Sequence, residues 1–310
     1  MDLYFRHHDE YEAHYNCSMM SAEEWSRQGK PNAYIGVTCL ALGCVYLALY
    51  IPCLVVMRQP KLFTYSCFKI MFSLGILDCL SVVYNCLFGG YFSLMGTVAC
   101  SNMLLNYFVG TTTIGVWCAQ CLMCILLAVN RCSDLWEFQS LRSAYEGRKV
   151  YLVIALPFVY CIAVIWFGQA CPFSSRAHAY FFDPYFLIDE VTVDRSYYTG
   201  YILSVNNITV SATLISLHVF IIGSVWWKAA SLYVYMQFFQ IPYFVILMAE
   251  FTWQGSTGGA VFIYLILNRT IRKGVISLLC QKKRNLTHPT RSQTYAPQEL
   301  DRRIYFISHQ

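Results

Sequence analysis

From Tyr34 to Met57 the chain runs 24 residues without an Asp, Glu, Lys or Arg, and from Cys100 to Asn130 it runs 31. The hydrocarbon core of a bilayer is about 30 Å thick, and roughly 20 apolar residues in a helix cross it. Only helices and closed barrels satisfy their backbone in lipid. The runs are continuous rather than short and alternating, so helices are predicted. Composition agrees: 57% of residues are hydrophobic and only 13% charged, about half the charge of a typical soluble domain. A soluble globular body is excluded. So is a disordered chain, given 17% aromatic residues, and no basic patch on a solvated face offers itself to nucleic acid.

Seven spans are predicted, over about 34–57, 68–91, 103–130, 150–170, 201–225, 229–249 and 251–268. The first 33 residues are acidic and lack the apolar core of a signal peptide, so the first span is expected to act as its own insertion signal. With the N-terminus outside, Arg6, Arg27, Lys30, Arg176 and Arg195 lie outside and the other 17 of the 22 basic residues inside. The positive-inside rule selects that orientation, and an odd number of spans satisfies it. The predicted fold is therefore an all-α membrane protein: a seven-helix bundle with an outer N-terminal segment (1–33) and an inner tail (269–310). Ile271, Val275, Leu278 and Leu279 share one face of a short amphipathic helix after the last span, flanked by Arg272 and Lys273.

Three modifications are candidates. Asn16-Cys17-Ser18 is a glycosylation sequon on the outer segment. Asn207-Ile208-Thr209 falls inside span five and Asn285-Leu286-Thr287 on the inner side. Cys280, beside Lys282, Lys283 and Arg284, is a candidate palmitoylation site. Of the 15 cysteines, most lie within spans, where Cys serves as a small apolar residue. Only Cys17, Cys100 and Cys171 lie near the outer surface. Cys100 with Cys171 is the favoured disulfide, and Cys17 competes for either partner.

An ionisable residue within a span is costly and points to function. Asp78, half-way through span two, must face the bundle interior. It reads either as a switch centre that binds water or sodium and changes partners, or as a structural anchor between spans. Arg131, at the inner end of span three, reads as a latch or a contact for a cytosolic partner, against ordinary snorkelling at the interface. Glu250 has no fixed depth, and His218 reads as a hydrogen-bonded bundle residue. His7, His8, Asp9, Glu10 and His14 read as a solvated tail rather than a metal site. No zinc-spaced Cys/His set, phosphate-binding glycine loop or nucleophile elbow is present, so no enzyme, metal or cofactor is expected.

The runs Leu49-Tyr50-Ile51-Pro52-Cys53-Leu54, Cys67-Phe68-Lys69-Ile70-Met71-Phe72 and Leu74-Gly75-Ile76-Leu77-Asp78 come in one order with Asn130-Arg131-Cys132, Tyr233-Val234-Tyr235-Met236-Gln237-Phe238 and Leu267-Asn268-Arg269-Thr270-Ile271-Arg272. Together, over about Tyr15 to Lys273, they resemble the nematode serpentine chemoreceptors of the Srt class. The resemblance implies a G-protein-coupled receptor in the plasma membrane of chemosensory neurons. Its partners would be a small environmental molecule and a heterotrimeric G protein. By it, Asp78 matches the buried aspartate of span two and Arg131 the arginine ending span three. The span-seven Asn-Pro-x-x-Tyr and span-six Cys-Trp-x-Pro of rhodopsin-like receptors are absent. Asn106, Tyr107 and Thr111, in outer span three, are pocket candidates by depth alone.

The resemblance also exposes a departure. A polar, basic inner loop is expected between spans five and six, but only Val225 to Ser231 stands there. In the family's arrangement Tyr201 to Phe239, 39 residues, must supply two crossings that need about 40. Either a stretch of the gene product is missing or the inner end is compacted. A receptor-like protein that does not couple is therefore the alternative reading. A transporter or channel is a further one, which lacks the repeats and broken helices that class predicts.

Overall fold

The computed structural model describes residues 1–135, 139–222, 247, 251, 254, 261–262, 264–266 and 268–287. Five helical stretches are long and apolar enough to cross a membrane: Ala33–Met57, Ser66–Met95, Met103–Ser133, Lys149–Phe167 and Arg195–Leu217. The expected sixth and seventh spans, with Lys228, Glu250 and the Tyr233–Phe238 motif, lie outside the described residues apart from the isolated positions just given. So do the side chains of His218 and Cys280.

The chain opens with three short helices, α1 (Asp2–Arg6), α2 (His8–His14) and α3 (Ala22–Gln28). Ser21 and Glu24 close a capping box at the start of α3, satisfying two backbone N–H groups reciprocally. The first long helix, α4 (Ala33–Met57), is capped by the Asn32 side chain, which accepts from the Ile35 N–H at 3.1 Å. After α5 (Pro60–Phe63) comes the second long stretch: α6 (Ser66–Val82), a π segment (Val83–Phe88) and α7 (Gly89–Met95). It stops at Gly96, whose φ of +66° needs a residue without a Cβ. A Cβ there would also stand 2.8 Å from Pro31 Cδ. The linker before α4 is thus pressed onto the end of α7.

Next come α8 (Met103–Leu135), α9 (Gln139–Ala144) and α10 (Lys149–Phe167). A two-residue hairpin, β1 (Phe173–Ser174) with β2 (Ala179–Tyr180), precedes α11 (Tyr201–Ile222). The described chain ends in α12 (Arg269–Thr287).

Packing explains which side chains are left to lipid. On α10, Val150, Ile154, Pro157, Cys161 and Val164 are buried, while Leu152, Leu156, Val159 and Ile162 are exposed. An exposed apolar stripe of that length is at rest against hydrocarbon, not water. The buried side joins Ile70, Leu74 and Leu77 of α6 and Val116, Ala119 and Met123 of α8 in one cluster. A second cluster sits at the far end of α4. There Tyr50, Cys53, Val56 and Met57 meet Ile271 and Val275 of α12. The predicted amphipathic helix is present and longer than expected. Ile271 and Val275 are buried and Leu278 partly so, but Leu279 is 60% exposed and does not share the docked face. Val56 approaches α12 closely at Gly274, where a Cβ would stand 2.6 Å from Val56 Cγ1.

Two expectations are overturned at the N-terminal end of the bundle. The first concerns the N-terminal segment: His7, His8, Asp9 and Glu10 are exposed to solvent, but the segment is helical and packed rather than a free tail. Tyr11, Tyr15 and Trp25 are buried in a cluster with Tyr107, Tyr185 and Tyr198. Tyr4, Tyr11 and Tyr15 rings lie 6.2, 5.0 and 5.1 Å from Tyr107. Arg6 to Glu10 are exposed, while Tyr11 and Tyr15 turn inward. The aromatic side is what folds back.

The second is the disulfide. Cys100 is bonded to Cys17, with 5.5 Å between their Cα atoms, and not to Cys171. The fold-back brings Cys17 to the start of α8, and the Trp25 indole donates to the Cys17 carbonyl at 2.8 Å. Cys171 is buried elsewhere, its backbone so close to α8 that a Cβ on Gly110 would collide with its carbonyl.

Candidate functional site

Two places collect polar groups that packing alone does not need. The first is the bundle centre. Asp78 is 4% exposed. Its Oδ2 accepts from the Tyr50 hydroxyl at 2.9 Å, and its Oδ1 from Gln120 Nε2 at 2.7 Å. One carboxylate thereby joins α4, α6 and α8. A buried carboxylate without such donors would be strongly disfavoured, so the partners fix how the three helices sit. Tyr50 and Gln120 do not stand out in the sequence, because an uncharged polar residue in an apolar run gives no signal of its own.

Arg131 lies at the far end of α8, exposed, with no ion pair among the described residues. Beside it, Asn130 is buried and its Oδ1 has no partner there. At the same end Lys69 stands 5.0 Å over the Tyr151 ring, and Arg58 stands 5.9 Å over Phe72. The Ser66 hydroxyl donates to the Tyr145 carbonyl.

The second place is the mouth of the bundle beneath the N-terminal segment. A cavity of about 250 Å³ opens there between α1 and α2 on one side and the ends of α8 and α10 on the other. Tyr15, Tyr107, Trp166 and Tyr197 wall it, with Asp2 and Glu10 on the N-terminal side. The Trp166 indole donates to Asp2 Oδ1 at 3.1 Å. His14 stacks on Tyr197 with ring centroids 3.5 Å apart. Gln169 donates to the Tyr197 carbonyl at 2.6 Å and accepts from the Gly200 N–H at 3.1 Å. Burial pushes the Tyr11 phenol up to about 12 and the Tyr15 phenol well above its usual range, so both stay neutral. A second cavity of about 220 Å³ shares Phe167, Gly168 and Gln169 with the first and reaches Phe182 and Leu203.

The three pocket candidates part company here. Tyr107 lines the mouth cavity. Asn106 does not: its amide donates to the Ala99 and Asn102 carbonyls at 3.4 and 3.2 Å, and its Oδ1 accepts from the Phe173 N–H at 3.3 Å. It holds the hairpin onto α8. The Thr111 hydroxyl turns back to the Tyr107 carbonyl. Depth along a helix could not separate residues that point inward from those that bind their own backbone.

The histidine-rich stretch is divided rather than gathered. His7 faces Asp2 at 3.4 Å, His8 faces Glu12 at 3.5 Å and His14 faces Tyr197. Among the described residues no three metal-ligating side chains converge. Asn16 is exposed, and its Oδ1 accepts from the Ser18 N–H at 2.8 Å. In α11, Asn207 Oδ1 accepts from the Trp117 indole at 2.9 Å, so that sequon serves helix packing.

Comparison with known proteins extends the geometry. The family model for the serpentine-type 7TM GPCR chemoreceptor Srt matches residues 1–228 and 213–288. The two matches overlap at 213–228, which takes in the start of the short connection noted between spans five and six. Serpentine receptor class T-55 of Caenorhabditis elegans is 24% identical over 304 aligned residues, covering 87% of this chain and 82% of that protein.

Proposed function

Since this chain belongs to the Srt family of serpentine seven-transmembrane chemoreceptors, and is thus a multi-pass membrane protein rather than an enzyme, we propose that it senses a small environmental molecule and signals through a heterotrimeric G protein. The observation that carries this reading is the family match along nearly the whole chain. The molecule enters at the N-terminal face, which lies outside the plasma membrane of a chemosensory neuron. The Cys17–Cys100 bond supports that side, because disulfides persist in oxidising compartments. The exposed Asn16 there is available for glycosylation. Cys280, at the other face, is a palmitoylation candidate.

Binding shifts a population of helix arrangements toward one with an open inner face. Asp78 is the element whose partners change: it bonds Tyr50 on α4 and Gln120 on α8, so any relative shift of these helices must break a bond at its carboxylate. Arg131, exposed at the opposite end, meets the G protein.

The test is a calcium response to odorant panels in cells co-expressing the chain and a promiscuous G protein. Arg131→Ala at unchanged surface level abolishes the response. A full response in that variant removes Arg131 from coupling. Silence of the surface-expressed wild type across broad panels counts against coupling altogether.

A further inference from the structure

We propose that the mouth cavity is a subsite for a small organic cation, a protonated amine or quaternary ammonium group; this rests on the receptor reading only for what binding achieves. The cavity is about 250 Å³, smaller than the pockets of about 300–1,000 Å³ that take drug-sized ligands. Its walls combine five aromatic side chains, Tyr15, Tyr107, Trp166, Phe167 and Tyr197, with the carboxylates of Asp2 and Glu10 and the His7 ring, and no Lys or Arg lines it. Ring faces carry negative potential and attract ammonium groups, most strongly where water is excluded.

Tyr107 is the most enclosed of these rings: it is 1% exposed and lines the cavity, and Tyr4, Tyr11 and Tyr15 pack against it.

The charges around the cavity are unequal. Asp2 is answered by Trp166 Nε1 at 3.1 Å, His7 at 3.4 Å and Arg6 at 3.6 Å. Arg6 lies 5.8 Å from the Trp166 ring. The Met1 nitrogen is engaged by the Ile165 and Trp166 carbonyls at 2.9 and 3.0 Å. Glu10 has no ion pair among the described residues. It is the carboxylate left to meet an incoming cation. An anionic ligand would face two carboxylates and the negative faces of the rings. A neutral apolar ligand would leave the Glu10 carboxylate to water.

The experiment uses the full chain in lipid nanodiscs, without G protein. Three probes share one ring and one chain length: 2-phenylethylamine, 2-phenylethanol and phenylacetate. Melting temperature and tryptophan fluorescence are followed against each. The amine raises the melting temperature and the other two do not, and Glu10→Gln weakens the amine about tenfold. Equal responses to amine and alcohol, or an unchanged Glu10→Gln titration, overturn the proposal. Glu10 is exposed, so its variant keeps the fold. Should it misfold, the wild-type charge series alone still supports or overturns the subsite. Cells that respond to other molecules while the amine fails to bind sink the cation subsite and leave the receptor reading intact. Binding of the amine without any calcium response does the reverse.

Discussion

The phenol of Tyr180 donates to the backbone carbonyl of Tyr84 at 2.8 Å, which joins the hairpin after α10 to the π segment of the second long helix. The same carbonyl accepts from the Gly89 N–H, the i→i+5 bond of a π turn, so the hairpin supplies its second donor. Phe173, the β1 neighbour of Tyr180, packs on Phe92 with centroids 5.5 Å apart. The hairpin is thereby tied to the irregular turn.

Tyr180→Phe removes that donor and keeps the ring. The carbonyl keeps the Gly89 N–H and loses its second donor, which costs at most about 1 kcal/mol. The detergent-solubilised variant melts below the wild type, and hydrogen exchange rises in Val83–Phe88. Unchanged exchange in that turn would show that the Gly89 bond holds it without the hairpin.

Alkylation and mass spectrometry of the non-reduced protein separate the two disulfide pairings. Cys17→Ser and Cys100→Ser each release the other thiol, whereas Cys171→Ser leaves the cross-link in place. The bond spans 83 residues, and the chain-entropy account assigns such a loop about 4.5 kcal/mol. Either serine variant also becomes sensitive to proteolysis in the N-terminal segment. A cross-link that vanished in Cys171→Ser would restore the pairing favoured on sequence grounds.

Acidification weakens the hairpin through His178. Its ring is buried, with Nδ1 unpartnered among the described residues, and burial lowers its proton affinity below the ordinary value of 6.5. As pH falls through 6.5 the unfolded chain takes up the proton first, so it binds more protons than the folded one. Stability rises with pH in that window and is lost below it. The wild type therefore loses more melting temperature than His178→Gln between about pH 7 and about pH 5.5. Parallel curves for the two would clear His178 of the effect.

The aromatic stripe on the N-terminal segment shows how much was legible and why the rest was not. Tyr4, Tyr11 and Tyr15 recur at helical spacing, a signal in plain view beside the more conspicuous histidines. Tyr50 and Gln120 gave none, because a polar residue in an apolar run means something only once its partner is known. Leu279 fits the amphipathic pattern of α12, yet it is 60% exposed, while Ile271 and Val275 are buried against α4.

The sequence by itself determined the long helices and the buried aspartate. Lipid offers the backbone no partner, so an apolar run of sufficient length must form its own hydrogen bonds, and that requirement is local. Only the tertiary structure decided which cysteine Cys100 binds, that the N-terminal segment closes over Tyr107, and which donors hold Asp78. Each of these joins groups far apart in the chain, and their meeting depends on how helices pack rather than on any spacing along the sequence.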